Sequence, residues 1–449
     1  MRIVSACIIL LAVSGAAAAA DHPLLHTLAG EVQADQLRAT DTRLVGFGTR
    51  HTLSDATSPT RGVGAARAYV RQRFEAIGAA CGGCLQIETP TAPQASDRTP
   101  GPVPITDVLA IQKGESDPDR VVLIAGHVDS RNSDPKNATR DAPGANDDGS
   151  GTSAVIEAAR VLSKHKFPAT IVYAVLTGEE QGLLGGKVLA DYARDHHWQL
   201  EADLNNDIIG NSHGYDGFVD NTHVRVFSEG TRSRETEAEA APRRYNGGEV
   251  DSPSRNLARF VSGLADNYLG GFKANMIYRT DRYRRGGDQV PVLAAGYPAV
   301  RITEVAENYT RQHQDVRNEN GIAYGDVLSA VDFDYLAQVT RLNVVALAAL
   351  AMAPAPPPGL DSDTSNFPDS TLKWLPSPGA TGYRVWWRDT IAPFWTDSRD
   401  AGNATQMTLK GLTIDNVFFG VSSVSADGYE SPVEFPGVPG AFAQAPPKP

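Results

Sequence analysis

Short, almost wholly apolar runs alternate along this chain with longer stretches of helical period. Arg120–Ala125, Thr170–Leu176 and Ala299–Thr303 are such runs. Each is too short for a helix and too apolar for a half-exposed strand, so each reads as a strand buried on both faces. Asp107–Gln112 and Ala202–Ile209 read as strands beside them. Between the runs the period lengthens. In Ala65–Ile77, the residues Ala66, Tyr69, Val70 and Phe74 share one face, and Gly78 ends the helix. Gly151–Ser163 turns Val155, Ala158, Ala159 and Leu162 inward, and Leu183–Arg194, Asn256–Leu269 and Phe333–Met352 complete the predicted helices. Strands alternating with helices predict an α/β domain, a mostly parallel central sheet flanked by helices. Residues 131–145 and 210–250, rich in polar residues and glycine, read as loops.

The pattern changes after residue 353. Pro354–Pro358 lies in the run Ala-Pro-Ala-Pro-Pro-Pro-Gly and reads as a stiff linker between residues 21–353 and a second domain. Period-two strands follow at 371–374, 382–388, 406–409 and 418–425, which predicts an all-β sandwich with Trp374, Tyr383 and Trp386 in its core. Over 359–436 these strands resemble a fibronectin type III domain. Residues 437–449 are rich in proline and alanine and read as a disordered tail. At the other end, Arg2, the apolar stretch Ile8–Val13 and the small residues Ala16–Ala20 make 1–20 a secretory signal, so the protein is expected to be exported, periplasmic or secreted. Cys81 and Cys84, spaced Cys-Gly-Gly-Cys, are then expected to close a local disulfide. No later apolar run reaches the length of a membrane span; Val344–Met352 is short and stops before Pro354.

Of the 449 residues, 41% are hydrophobic and 21% charged, as in soluble globular proteins. The formal net charge of −12 argues against nucleic-acid or anionic-membrane partners, which reward lysine and arginine. Part of that acidity is concentrated where chemistry is expected. Gly126-His127-Val128-Asp129-Ser130 ends one strand, Gly144-Ala145-Asn146-Asp147-Asp148-Gly149 precedes a helix, and Thr177-Gly178-Glu179-Glu180-Gln181-Gly182 ends another strand. His127 and Asp129, two apart on a strand, share a face, so Asp129 can bond the ring nitrogen that does not face a metal. Adjacent aspartates such as Asp147 and Asp148 repel unless a cation or amide groups offset them. Of Glu179 and Glu180, one can bind metal while the other moves protons. Asp207 and His313 lie at further strand ends or loops. Each motif alone has a plainer reading: a strand-end histidine, an Asp-rich helix cap, an acidic helix start. Together they predict a hydrolytic site for two zinc or similar divalent ions.

These three runs and a fourth, Asn206-Asp207-Ile208-Ile209-Gly210, occur in the order and spacing of the dizinc aminopeptidases. Residues 35–350 resemble that family of secreted bacterial leucyl-type aminopeptidases and glutamate carboxypeptidase-like enzymes. The resemblance implies two zinc ions per chain, with Asp147 bridging them. His127 and Asp207 would complete one site, Glu180 and His313 the other. Glu179 would be the general base and Asp129 the partner of His127, and the Asp147–Asp148 peptide would be cis. Two departures stand out: Gly287-Asp288-Gln289 replaces Ser-Asp-His, and Gln312 stands where an aromatic residue often precedes the last histidine. Tyr309 is a candidate to meet oxyanion charge. Arg282, Tyr283, Arg284 and Arg285 form either a carboxylate-binding cluster or a solvated loop. The expected activity is removal of N-terminal residues from peptides or proteins. A carboxypeptidase of the same fold, a one-zinc glutaminyl cyclase and a non-catalytic binding protein are the alternatives.

Overall fold

The computed structural model describes residues 21–233, 235–363 and 368–436; the expected signal, 1–20, and tail, 437–449, lie outside them. Eight strands form one sheet: β1 (Leu85–Glu88), β2 (Val108–Gln112), β3 (Asp117–His127), β4 (Ala169–Leu176), β5 (Gln199–Asn206), β6 (His223–Ser228), β7 (Lys273–Ile277) and β8 (Ala299–Glu304). Their spatial order is β1-β2-β4-β3-β5-β8-β6-β7. The middle four, β4-β3-β5-β8, run parallel. This is the expected mostly parallel sheet, and all eight residues of β4 are buried.

The period of two along β3 and β4 divides the interior into two cores. Val122, Ile124, Ile171, Tyr173 and Val175 face the larger core, beneath the helices Ala34–Val45, Gly62–Ala80, Gly149–Leu162 and Phe333–Met352. Val121, Leu123, Ala125, Val172, Ala174 and Leu176 face the smaller one, under Leu184–Asp195 and Gln289–Ala295. Fully sandwiched strands carry no polar face, which is why their sequences lack alternation. The helix Phe333–Met352 is 20 residues long and apolar enough to cross a membrane by length and composition, with 83% of its most apolar window buried inside the fold. It thus extends well beyond the apolar stretch 344–352, because Phe333, Leu336, Val339 and Leu342 continue the buried face.

The region 210–250 is not all loop. It contains β6, and the helix Glu237–Asn246. Val224, Val226 and Phe227 bury β6 against β8, while Arg225 keeps its charge on Glu307. The expected helix from Asn256 begins three residues earlier, at Pro253, because the Ser252 side chain caps it by accepting from Arg255 N. Cys81 and Cys84 are joined in a disulfide.

The C-terminal unit has two antiparallel three-stranded sheets. One holds Asp361–Asp363, Ser370–Lys373 and Gln406–Leu409; the other holds Gly382–Asp389, Asp397–Gly402 and Val417–Val424. Leu372, Trp374, Tyr383, Val385, Leu409, Phe419 and Val421 fill the space between them. Trp386 is not part of that core. Strand alternation puts Trp387 on the face of Tyr383 and Val385, and Trp386 on the opposite face, where its indole N–H donates to Ser422 and Glu430. The unit is docked on the first domain. Pro354, Pro356 and Pro357 are buried, Asp251 pairs with both Arg259 and Arg388, and Trp395 donates to Asn256.

Candidate metal centre

The carboxyl ends of the parallel strands open on one edge of the sheet, where α/β folds gather their sites. β3 ends in His127, Gly178-Glu179-Glu180 follows β4, and Asp207 follows β5. Asp147 sits at the mouth of the helix Gly149–Leu162, and His313 comes from the loop after β8. The N-terminus of that helix reaches the strand ends because residue 151 is glycine. A Cβ there would lie 2.3 Å from the carbonyl oxygen of Asn206. Asp148 fastens the junction, its carboxylate accepting from Gly151 N and from His127 N, each at 2.9 Å.

All five expected ligands converge. His127, Asp147 and Asp207 form one group, and Asp147, Glu180 and His313 a second, with candidate ligand atoms within 4.8 Å of one another in each. Asp147 belongs to both. Its Oδ1 is 3.4 Å from His127 Nε2 and its Oδ2 is 2.9 Å from His313 Nε2. His313 Nε2 is also 3.2 Å from Glu180 Oε1, and His127 Nε2 is 3.9 Å from Asp207 Oδ2. The peptides Asp147–Asp148 and Asp207–Ile208 are cis; the first matches the family pattern, and the second was not anticipated.

Electrostatics mark this as a cation site. Burial opposes charge on His127, yet the adjacent carboxylates of Asp129 and Asp147, with Asp148 and Asp207 nearby, raise its pKa well above the ordinary value. Burial likewise opposes charge on His313, but Glu180 and Asp147 raise it to about 9. Asp147, although buried, is held well below the carboxylate range by His313 and His127. Carboxylates that draw protons onto two buried imidazoles will draw a divalent cation in their place, with release of those protons. His127 Nε2 and Glu180 Oε1 are buried and make no hydrogen bond among the described residues, so each has a lone pair free to ligate. Two imidazoles and three carboxylates are a donor set that fits zinc.

Asp129 does more than face His127. The ring Nδ1 lies 3.0 Å from the backbone oxygen of Asp129 and 3.5 Å from its Oδ1. The carboxylate accepts from Gly178 N, Glu179 N, Glu180 N and Thr52 Oγ1, at 2.8, 3.3, 3.2 and 2.8 Å. One aspartate therefore orients the histidine and anchors the turn that carries both glutamates. Gly178, at φ +94°, supplies the left-handed residue this turn needs. Glu179 is half-buried; burial, then Asp207, with Glu180 and Asp288 adding to them against His127, pushes its pKa well up.

Several contributors were not singled out by the sequence. Asp326 accepts from Asn146 N and Asp147 N and so fixes the Asp147 loop. Arg301 is fully buried against Asp207 and Asp281, and Arg131 Nε lies 3.2 Å from Glu180 Oε2. An arginine inside the apolar strand Ala299–Thr303 was a readable signal; a lone aspartate in the loop after Gly325 carried none. Gln312 is buried and donates to Asp147 Oδ2. Tyr309 faces outward, 54% exposed, with its ring against Tyr215. The arginine cluster divides: Arg282 pairs with Asp281 and Glu307, Arg285 with Glu307, while Tyr283 and Arg284 are exposed.

Comparison with known proteins agrees with this geometry. Residues 107–330 match the model of peptidase family M28. A probable zinc metalloprotease of Pyrenophora tritici-repentis is 44% identical over 418 residues, spanning 92% of this chain and 86% of that protein. A second, from Pyricularia oryzae, is 44% identical over 422 residues, spanning 92% and 84%. The fold is similar to that of the Legionella pneumophila LapA aminopeptidase (18% identity, TM-score 0.54, 73% of this chain and 74% of that one). It is also similar to that of LapB from the same organism (16% identity, TM-score 0.53, 74% and 75%). With a donor set that suits zinc and relatives that span nearly its whole length, the chain belongs to peptidase family M28 and is a zinc metallopeptidase.

Proposed function

We propose that the protein is an exported aminopeptidase that uses two zinc ions to release N-terminal residues from peptides. The observation that carries this reading is the sharing of Asp147 between two ligand groups, with Glu179 beside them on a turn fixed by Asp129. When bound, two zinc ions supply Lewis acidity toward water and the scissile carbonyl. His127 and Asp207 would hold one ion, Glu180 and His313 the other, and Asp147 both. Glu179 takes a proton from the attacking water and delivers it to the leaving amine. Its raised pKa suits a group that must both accept and give back a proton. The acidic surroundings of the site favour a substrate's terminal ammonium over a terminal carboxylate.

Export is supported by the signal-like segment 1–20 and by the Cys81–Cys84 disulfide, which persists in oxidising compartments. The two-sheet C-terminal unit fits a fibronectin type III-like module. The test is turnover of a chromogenic aminoacyl substrate with a free or a blocked amine, before and after chelation and zinc readdition. Activity is expected only with the free amine, lost on chelation and restored by zinc. Equal turnover of the blocked substrate, or dependence on a free terminal carboxylate, would refute the aminopeptidase reading.

A further inference from the structure

The carboxylates of Glu180 and Asp207 each divide their two oxygens in the same way. Glu180 Oε1 faces His313 Nε2 at 3.2 Å, while Oε2 lies 3.2 Å from Arg131 Nε. Asp207 Oδ2 faces His127 Nε2 at 3.9 Å, while Oδ1 lies 2.7 Å from Arg301 Nη2. One arginine thus stands behind each terminal ligand, one on each side of Asp147. Arg301 has no freedom to leave. Its Nε donates to the Asp207 backbone oxygen at 2.5 Å, and its Nη1 donates to Gly286 O at 2.8 Å and to Asp281 Oδ2 at 3.0 Å. Arg131 is more accessible, its side chain 15% exposed, and its guanidinium reaches Glu180 from the loop that follows β3.

We propose that Arg131 and Arg301 are positioning residues that each withhold one carboxylate oxygen from the metal pair. Glu180 Oε1 and Asp207 Oδ2 are then single donors. The assignment rests on the dinuclear reading above. Its physical basis has two parts. A carboxylate with both oxygens free can close on a cation with both, whereas a catalytic zinc site must keep a position open. A guanidinium also draws charge from the carboxylate it contacts and repels the cation beyond it, so the ion is held less tightly and stays more electrophilic. Both effects weaken binding at the site in exchange for reactivity.

The measurement is zinc release from the loaded full-length protein to an excess of a chromogenic chelator, followed for both ions. In Arg131→Met one of the two ions should leave at least about tenfold more slowly, the other within about twofold of wild type, with kcat lowered. Arg131→Lys keeps the charge and should release both ions within about threefold of the wild-type rates. Arg131→Gln replaces the methionine variant if that one does not fold. Release from Arg131→Met that is unchanged or faster for both ions would overturn the assignment, as would a lysine variant that behaves like the methionine variant. A wild-type protein that binds fewer than two zinc ions would overturn the dinuclear reading and the assignment with it.

Discussion

The buried contact between the two structural units gives the sharpest test of how this chain is held together. Asp251, before the helix Pro253–Tyr268, has Oδ1 2.7 Å from Arg259 Nη1 and Oδ2 2.7 Å from Arg388 Nη2. All three side chains are at most 4% exposed. Arg388, on the strand Gly382–Asp389, also stacks over Trp395 and Phe418, with centroid distances of 5.0 and 4.5 Å. Replacing Arg388 by methionine keeps most of the volume and removes the charge. Breaking a buried pair from one side costs about 3–5 kcal/mol. Two features place this case at the low end. Asp251 retains Arg259, and removing Arg388 relieves repulsion between the two guanidiniums, which together with burial holds the Arg259 pKa down. The expected loss is about 3 kcal/mol. Urea unfolding followed by tryptophan fluorescence reads it, because Trp395 lies in the contact and Trp374 in the β core. Wild type should unfold in one transition, and an Asp251→Asn, Arg388→Met cycle should show coupling of about 1–3 kcal/mol. A loss below about 1 kcal/mol, or two well-separated wild-type transitions, would refute the reasoning.

Three further outcomes are expected. Glu179→Gln should keep both zinc ions by elemental analysis yet lose about 10²–10⁴-fold in kcat, whereas Glu180→Gln should lose zinc to chelators more readily. Glu229→Gln tests a carboxyl outside the site that burial, only partly offset by Arg232, raises to about 7. Because the folded pKa exceeds the unfolded one, the wild-type contribution is present below about pH 4.5 and lost as pH rises through about 7. The glutamine variant should therefore gain up to about 3 kcal/mol over wild type at pH 8 and little at pH 4, read from urea midpoints. A chain ending at Ala353 loses Arg388 and the Tyr429 ring stacked on His22 at 3.8 Å, so it should unfold at lower urea than Arg388→Met. Equal midpoints would show that the β unit contributes little beyond that one pair.

What was legible in the sequence was what period and motif encode. β3 and β4 announced themselves because strands buried on both faces cannot afford polar residues. The ligand motifs were readable because each sits next to a strand end or a helix start, where local sequence fixes position. β6 was missed because it pairs through Val224 and Val226 while Arg225 and His223 stay partly exposed, so its short pattern merged with the polar residues around it. Trp386 was assigned to the wrong face because two tryptophans in succession leave the phase open until Tyr383 and Val385 set it. The linker misled for a different reason. Its proline content describes chain stiffness, whereas burial of Pro354, Pro356 and Pro357 depends on surfaces far away in sequence.

The same distinction explains which parts of the metal centre escaped notice. Ligands come in motifs because two or three must be presented from one turn, but the groups that hold them come from wherever the fold brings a complementary charge. Asp326 lies 179 residues from Asp147, whose backbone N–H it accepts, and Arg301 lies 94 residues from Asp207. Neither pairing has a spacing that sequence could reveal, although a charge within the apolar run Ala299–Thr303 marks Arg301 itself. Both are nevertheless required by the same physics that made the ligands visible. A buried carboxylate needs donors for the oxygens it does not give to a cation, and a backbone bent into a ligand loop needs acceptors for its exposed N–H groups. Asp129 joins the two levels: a motif residue by its spacing from His127, it is also the acceptor that fixes Gly178, Glu179 and Glu180. Loss of its side chain should therefore loosen the glutamate turn, whose three N–H groups the carboxylate accepts, and remove the 3.5 Å charge contact to the imidazole, while the backbone oxygen at 3.0 Å still holds the ring.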